Sequence, residues 1–392
     1  MKRRWKGAAA AAMGLSLGLL VLICAGRQRT LAQAGPKTVA QSAQTPRVKT
    51  AAEVYKNIKV LKNIPAYELI PTMEFISASL GVHCEFCHVA HHFARDTKKT
   101  KRRARGMMRM MFAVDKADFH GHQVVTCNTC HNGSPHPAGM PAVAEAQGIP
   151  ARPAHFEEHG QHVNFASLPQ PDAIVARYVQ SLGGEAALRK IKSRVITGTV
   201  SAFGHQMPIE IYAKAPDMRT SITRFPRGQA VTIYNGQEGW AAGAPRPPHV
   251  LEGSELDQAR LEADFYFPLN IKQEFNTLRE RPPQKVGEQE AYLVLGIRPG
   301  KPPVQLYFSK QSGLLLRTVY FIQTALGRLP QQTDYSDYRE LDGVKLPYEW
   351  TVSRPEGRST VQVAEIKQNV PISASKFAIP AMQHHPGSRP SM

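Results

Sequence analysis

Cys84-Glu85-Phe86-Cys87-His88 and Cys127-Asn128-Thr129-Cys130-His131 both read C-x-x-C-H, the covalent attachment motif of a c-type haem. In that chemistry the two thiols add to the porphyrin vinyl groups, and the histidine after the second cysteine reaches the iron from one face. His88 and His131 are therefore the expected proximal iron ligands. Cys84, Cys87, Cys127 and Cys130 are the expected attachment points of two haems c. The chain holds five cysteines, so none beyond Cys24 remains for a disulfide framework. A four-cysteine zinc site is the rival reading of two C-x-x-C pairs, but it leaves the histidine after each pair unexplained.

The segments ahead of the motifs have helical periodicity. Leu69, Met73, Ile76 and Leu80 fall at i, i+4, i+7 and i+11, with Pro71 tolerable only in a first turn and Gly81 as a stop, so a helix is expected from Ile70 to Gly81. A second is expected from Lys101 to Lys116, with Met107, Met110, Met111 and Val114 on one inward face. A turn over Asp118 to Gln123 then leads to the second motif. The pattern is helix, haem motif, basic loop, helix, haem motif: a short internal repeat. A methionine on an apolar helix face is ordinarily core. Ahead of a motif that needs a soft sixth ligand, Met73 and Met107, Met110 or Met111 become ligand candidates, and methionine in that position closes the iron and raises its potential.

The total of 392 residues suggests two domains. Met1 to Arg29 runs basic and then apolar, and Ala32-Gln33-Ala34 has the form of a cleavage site, so residues 1–34 are expected to be an export signal. That agrees with haem attachment outside the bacterial cytoplasm and predicts an exported, periplasmic protein. An uncleaved membrane anchor is the alternative, since about 18 apolar residues can just span a bilayer. Cys24 is a weaker lipidation candidate, Ile23 being a poor predecessor. Residues 35–50 are a polar, disordered tether, 51–137 the dihaem domain, 138–171 a linker rich in proline and glycine, and 381–392 a disordered tail. His155, His159 and His162 in the linker have helical spacing and are read as solvated.

From 172 to 380 the texture is β-rich. Asp172 to Lys190 is amphipathic and interrupted at Gly183-Gly184. Nine strands then follow: 195–203, 209–214, 218–224, 230–234, 291–297, 304–309, 314–322, 346–353 and 360–366, with turns such as Asn235-Gly236, Ser312-Gly313 and Asp342-Gly343 and a helix near Ser254 to Phe265. The expected fold class is multi-domain: a small, mainly α multihaem cytochrome c domain, then an α+β domain with a curved antiparallel sheet, a half-barrel packed on helices. The net charge is +18. Six of those charges lie in residues 2–29, and the remainder, about +12, favours acidic redox partner proteins or anionic lipid headgroups over nucleic acid. The run Arg95, Lys98, Lys99, Lys101, Arg102, Arg103, Arg105 lies between the motifs, where positive charge favours reduced haem and steers acidic partners.

Pro71-Thr72-Met73 through His88, then Arg105-Gly106-Met107-Met108 and Val125-Thr126 through Ser134-Pro135, resemble the cytochrome c subunit of the purple-bacterial photosynthetic reaction centre. The resemblance spans roughly residues 52 to 137. It implies a sixth-ligand methionine on the helix ahead of each motif, which makes Met73 the ligand of the first haem and Met107 of the second. The family subunit carries four haems, and this chain has the motifs of the first two only. In the family a histidine between the second methionine and the second motif ligates a haem of the missing half. His122, or else His120, occupies that region here as an alternative axial ligand. From the helix Ile174 to Leu182, Leu306-Tyr307-Phe308-Ser309 and Tyr338 to Pro347, the C-terminal region resembles the periplasmic lipoprotein-carrier fold, a half-barrel around a hydrophobic cavity that would take a lipid or quinone. The expected function is electron transfer rather than catalysis, with a carrier-like or docking domain. The alternatives are a haem peroxidase or oxidase, which needs an open iron, and a lipid- or quinone-binding protein with a redox-active haem module.

Overall fold

Two helices, one largely apolar and one basic and amphipathic, organise the N-terminal part. In the computed structural model, which describes residues 48–137, 168–202, 204–243, 246–355 and 357–380 with the Arg246 side chain excepted, these follow a short α1 (Ala51–Val54). Helix α2 spans Leu69–Leu80 and is capped by Gly81 in the left-handed conformation, φ 64°, as a C-terminal glycine allows. The first motif opens in a 3-10 turn, Cys84–Phe86. Helix α3 spans Lys99–Asp118, and the second motif is itself a short helix, α4 (Cys127–His131). The expected signal and tail, with Cys24, His155, His159 and His162, lie outside the described residues, as do all of the expected tether but 48–50 and all of the expected linker but 168–171. Thr50 is bridged to Pro65 and Pro171 opens a helix, so both segments are ordered at those ends.

The C-terminal part begins with α5 (Pro171–Ser181) and α6 (Glu185–Lys190), separated by the expected Gly183-Gly184 break. A single antiparallel sheet follows: β1 (Ser193–Ala202), β2 (His205–Lys214), β3 (Met218–Phe225), β4 (Gly228–Asn235), β5 (Gly239–Gly243) and β6 (Arg246–Val250), then α7 (Gly253–Ala263) and α8 (Phe267–Glu274), then β7 (Thr277–Val286), β8 (Gln289–Ile297), β9 (Val304–Ser309), β10 (Leu315–Thr324), β11 (Gly327–Leu341), β12 (Val344–Arg354) and β13 (Gly357–Gln368). Its order is β6-β5-β4-β3-β2-β1-β13-β12-β11-β10-β9-β8-β7, two meanders joined where β1 pairs with β13. Turn chemistry agrees with the sequence. Asn235 Oδ1 accepts from the amides of Gln237 (2.9 Å) and Glu238 (2.8 Å), and Asp342 and Gly343, φ 51° and 77°, form the two-residue hairpin that needs positive φ at both positions.

The sheet is curved, and α7 shows why it must be. That helix touches β3, β4 and β5 on one side and β10 on the other. In the strand order β3 and β10 stand six steps apart, about 29 Å in a flat sheet at 4.8 Å per strand. A helix only about 10 Å wide meets both only if the sheet wraps around it. Fully buried Ile271, Val294, Leu306, Phe308 and Val344, with Tyr178 of α5 and Leu261 of α7, fill the space between sheet and helices.

Four strands are additional to the nine expected. β6 carries Pro247-Pro248 and β7 carries Pro282-Pro283, with a register shift between Arg281 and Gln284; both are edge strands, where proline is tolerated and blocks further pairing. The largest addition, β11, begins with buried Gly327, Leu329, Gln331 and Thr333 alternating with more exposed residues. Polar Gln331 and Thr333 on its inner face hide that period.

The described residues, from Val48 onward, form a single compact unit, and the β10–β11 hairpin joins its two parts. Fully buried Leu326 and nearly buried Leu329 belong to the same cluster as Ala51, Leu61, Leu69, Phe75, Met108 and Met111. The Phe75 ring lies so close over Gly327 that any Cβ there would collide with it. Ala325 N donates to Thr72 Oγ1 at 3.3 Å, and Gln123 Nε2 donates to Ala325 O at 2.7 Å.

Candidate haem-attachment sites

Each motif histidine has one ring nitrogen committed to the backbone. His88 Nδ1 lies 2.9 Å from Phe93 O, and His131 Nδ1 lies 2.9 Å from Ser134 O. A carbonyl only accepts, so both rings carry their proton on Nδ1 and present the Nε2 lone pair, the tautomer needed by an Nε2 metal ligand. Burial pushes the His88 imidazole down in pKa, toward its neutral form; Lys101, Arg105 and Lys98 act in the same direction, and the bond to Phe93 opposes. Cys84 and Cys130 are exposed and Cys87 and Cys127 half-buried, so every thiol is reachable for covalent attachment. Burial pushes the Cys87 and Cys127 thiols up.

The first motif is held by the start of α3. Thr100 Oγ1 donates to Phe86 O at 2.6 Å, and Lys98 Nζ donates to Glu85 O. Lys101 Nζ donates to Phe93 O at 2.7 Å and Arg95 O at 2.9 Å, and Arg102 reaches Asp96 O at 2.8 Å. Asp96 pairs with Arg105 (2.9 Å), Lys59 (3.0 Å) and Lys101 (3.2 Å). The Arg105 guanidinium, with smaller help from Lys59, Asn57 and Lys101, holds its carboxyl well below the usual carboxylate range. Much of the basic run is thus internal scaffolding of the 85–96 loop, while Arg95, Lys99 and Arg103 remain exposed.

The second motif is held from two sides. Buried Asp115 of α3 accepts through Oδ1 from the amides of Val124 (3.2 Å) and Val125 (2.8 Å). Thr126 caps α4, its amide donating to Thr129 Oγ1 at 3.0 Å. Behind it, Gly133 N donates to Ser79 O of α2 at 2.9 Å. Gly81 approaches Gly133 so closely that a Cβ at Gly81 would strike the Gly133 carbonyl. The helix leading into the first motif therefore packs against the second, which makes the two attachment sites neighbours.

The methionines divide. Met108 and Met111 are buried core at 7% and 4% exposure, whereas Met110 is 50% exposed. Met110 is thus not on an inward face as its period suggested; the buried face of α3 runs through Lys101, Met108, Met111 and Asp115. Met73 and Met107 are half-buried. On α2 the buried set is Leu69, Pro71, Thr72, Phe75 and Ser79, which leaves Met73, Ile76 and Leu80 as a half-buried apolar stripe. Met73 packs on the cluster that also takes in Cys127. His120 and His122 are exposed on the turn after α3. Sequence reasoning missed Asp115 and the hairpin tip Ala325-Leu326, and it read Lys101 only as one charge of the basic run and not as a buried donor to loop carbonyls; an apolar pair in a turn was the available cue for the hairpin tip.

The residues present fit a c-type haem at each motif: paired accessible thiols, a histidine fixed in the ligating tautomer, and half-buried methionines on the preceding helices. Residues 20–208 match the family model of the photosynthetic reaction centre cytochrome C subunit. The chain is 33% identical over 128 residues to the photosynthetic reaction center cytochrome c subunit of Thermochromatium tepidum, covering 30% of this chain and 31% of that one. It is 34% identical over 86 residues to cytochrome c-554 of Chloroflexus aurantiacus, covering 20% of each. The chain thus spans about a third or less of the length of these curated relatives. Among solved structures it is similar to a DUF1329 family protein from Desulfovibrio piger (14% identity, TM-score 0.37, 53% of this chain and 96% of that one) and a LolA superfamily protein from Nitrosomonas europaea (10% identity, TM-score 0.38, 54% and 99%). Across the part that carries both C-x-x-C-H motifs, the chain is similar to the photosynthetic reaction centre cytochrome c subunit family.

Proposed function

We propose that this protein is an exported, periplasmic dihaem c-type cytochrome that carries single electrons, with the curved sheet as the scaffold on which its haem part is docked. The observation that carries the reading is the matched pair of histidine bonds, His88 Nδ1 to Phe93 O and His131 Nδ1 to Ser134 O, each 2.9 Å. Cys84 and Cys87 hold one haem c and Cys127 and Cys130 the other; when bound, each supplies a one-electron iron couple. His88 and His131 would hold the irons through Nε2. Met73 and Met107, on the helices ahead of the motifs, would supply the further ligand to the first and second haem iron, which would close both irons and disfavour peroxidase or oxidase chemistry. Exposed His122 is an alternative axial ligand, available to a partner chain rather than packed into this one.

Exposed Arg95, Lys99 and Arg103 beside the first motif favour an acidic redox partner, with association that weakens as salt rises. The scaffold reading of the sheet is preferred to lipid or quinone carriage because Phe308, Ile271, Leu306, Val294 and Val344 fill the space between sheet and helices. Organic extraction of purified protein that recovers a stoichiometric lipid or quinone overturns that preference.

The central test is a pyridine haemochrome assay combined with intact mass, with two covalent haems per chain expected and any other number overturning the proposal. Met73→Leu and Met107→Leu should each lower one haem potential and open that iron to added ligand. An unchanged spectrum and potential in either variant removes that methionine from the ligand set.

A further inference from the structure

The two histidine bonds are equal in length but not in surroundings. Phe93 O accepts from His88 Nδ1 at 2.9 Å and also from Lys101 Nζ at 2.7 Å. Lys101 is only 8% exposed. Its ammonium is fixed from three directions: Phe93 O, Arg95 O at 2.9 Å, and the Asp96 carboxylate at 3.2 Å. Asp96 is itself shared with Arg105 and Lys59, so it does not neutralise Lys101 alone. At the second motif, Ser134 O accepts from His131 Nδ1. Among the described residues, no lysine or arginine donates to it.

We propose that Lys101 is a positioning residue that sets the first haem's reduction potential above the second's, by acting through the Phe93 carbonyl on His88. The inference rests on the reading of His88 and His131 as iron ligands. A carbonyl oxygen that accepts a charged N–H has less electron density to offer a second donor. The His88 Nδ1–H is then bound more weakly than that of His131, and its imidazole is the less basic ligand; the hydrogen bond on the remote nitrogen sets ligand basicity. A less electron-rich ligand disfavours the ferric state, and an uncompensated positive charge behind the ligand acts in the same sense. Both raise the potential through hydrogen bonding to the axial ligand.

The test is a spectroelectrochemical titration of the full-length holoprotein alongside three variants. In K101M the higher of the two potentials should fall by a tenfold change in the reduction equilibrium, about 59 mV for one electron, while the lower one stays in place. K101R keeps the charge and donors and should restore most of the difference. K98M removes a like charge from the same loop, but Lys98 donates to Glu85 O rather than Phe93 O, so it should shift the potential far less. An unmoved potential in K101M with an intact haem spectrum overturns the inference, as does an equal fall in K98M.

The wild-type protein provides a readout that does not depend on the variants folding. In ¹⁵N-histidine NMR of the reduced protein, the His88 Nδ1 proton should resonate as the weaker hydrogen bond, upfield of that of His131. The reverse order also overturns the inference. The outcomes separate from the parent reading: fewer than two covalent haems refutes that reading, whereas two haems with an unmoved potential refute only the role of Lys101.

Discussion

Replacing Leu326 by alanine removes a side chain that belongs by connectivity to the sheet and by packing to the haem part. Leu326 is fully buried at the tip of the β10–β11 hairpin, in a cluster with Leu69 and Phe75 of α2 and Met108 and Met111 of α3. Its neighbours come from several elements with the Phe75 ring locked over Gly327, so the gap has little freedom to collapse. A middle value of about 3 kcal/mol is therefore expected for the loss. With a urea dependence of about 3 kcal/mol/M, that is a midpoint shift of about 1 M. The assay follows haem absorbance, which reports on α2 to α4, and the fluorescence of Trp240 and Trp350, which lie in β5 and β12. The haem signal of L326A should shift by that amount. The control L293A removes a leucine of similar burial from a cluster confined to the sheet and should act first on fluorescence. A haem midpoint in L326A that stays within about 0.2 M of wild type, well below what the packing requires, refutes the shared core.

Gly81→Ala should destabilise the protein by about 2 kcal/mol, because alanine strains the left-handed φ and its Cβ strikes Gly133; a urea midpoint equal to wild type contradicts the close approach of α2 to the second motif. Asp96→Asn should cost stability in a pH-dependent way. A carboxyl held below its ordinary value contributes stability that is complete above that value and lost as pH falls toward the folded-state one, so the gap between wild type and D96N should be constant from about pH 7 to 5 and narrow below about pH 4. A gap that is unchanged in acid shows that the Arg105, Lys59 and Lys101 pairs do not matter. Asp115→Ala should leave the Val124 and Val125 amides without their acceptor, cost about 2 kcal/mol and perturb the second haem's spectrum more than the first's; an equal effect on both sinks the assignment of Asp115 to the second site.

Legibility from sequence followed the physics of each signal. The two motifs and their leading helices were plain because covalent attachment and helical period leave fixed spacings, and Gly81 stops α2 as its sequence position implies. The edge strands β6 and β7 were hidden because Pro247-Pro248 and Pro282-Pro283 are strand breakers everywhere except at an edge, and edge position is a property of the assembled sheet. The scaffolding role of the basic run was hidden for a related reason. A lysine that donates to loop carbonyls, as Lys101 does, has the same letter as one in water, and only burial separates them. The hairpin tip left a legible trace, since Ala325-Leu326 is too apolar for a solvated turn, but nothing in the sequence says which surface covers it.

The shared cluster ties the part that carries the motifs to the sheet. Residues 48–137 supply only two helices longer than five residues, and part of the core that those helices bury comes from outside the segment. Two of the eight buried residues in its core, Leu326 and Leu329, come from the hairpin. The hairpin also touches the segments that matter most: Thr72 on the helix leading to the first motif and Gln123 on the turn leading to the second. A displacement of the tip would move both leads together. One hairpin tip of the sheet thus contacts the leads to both motifs, a fixed relation that the proposed electron-carrying role would need and that a loosely tethered domain would not supply.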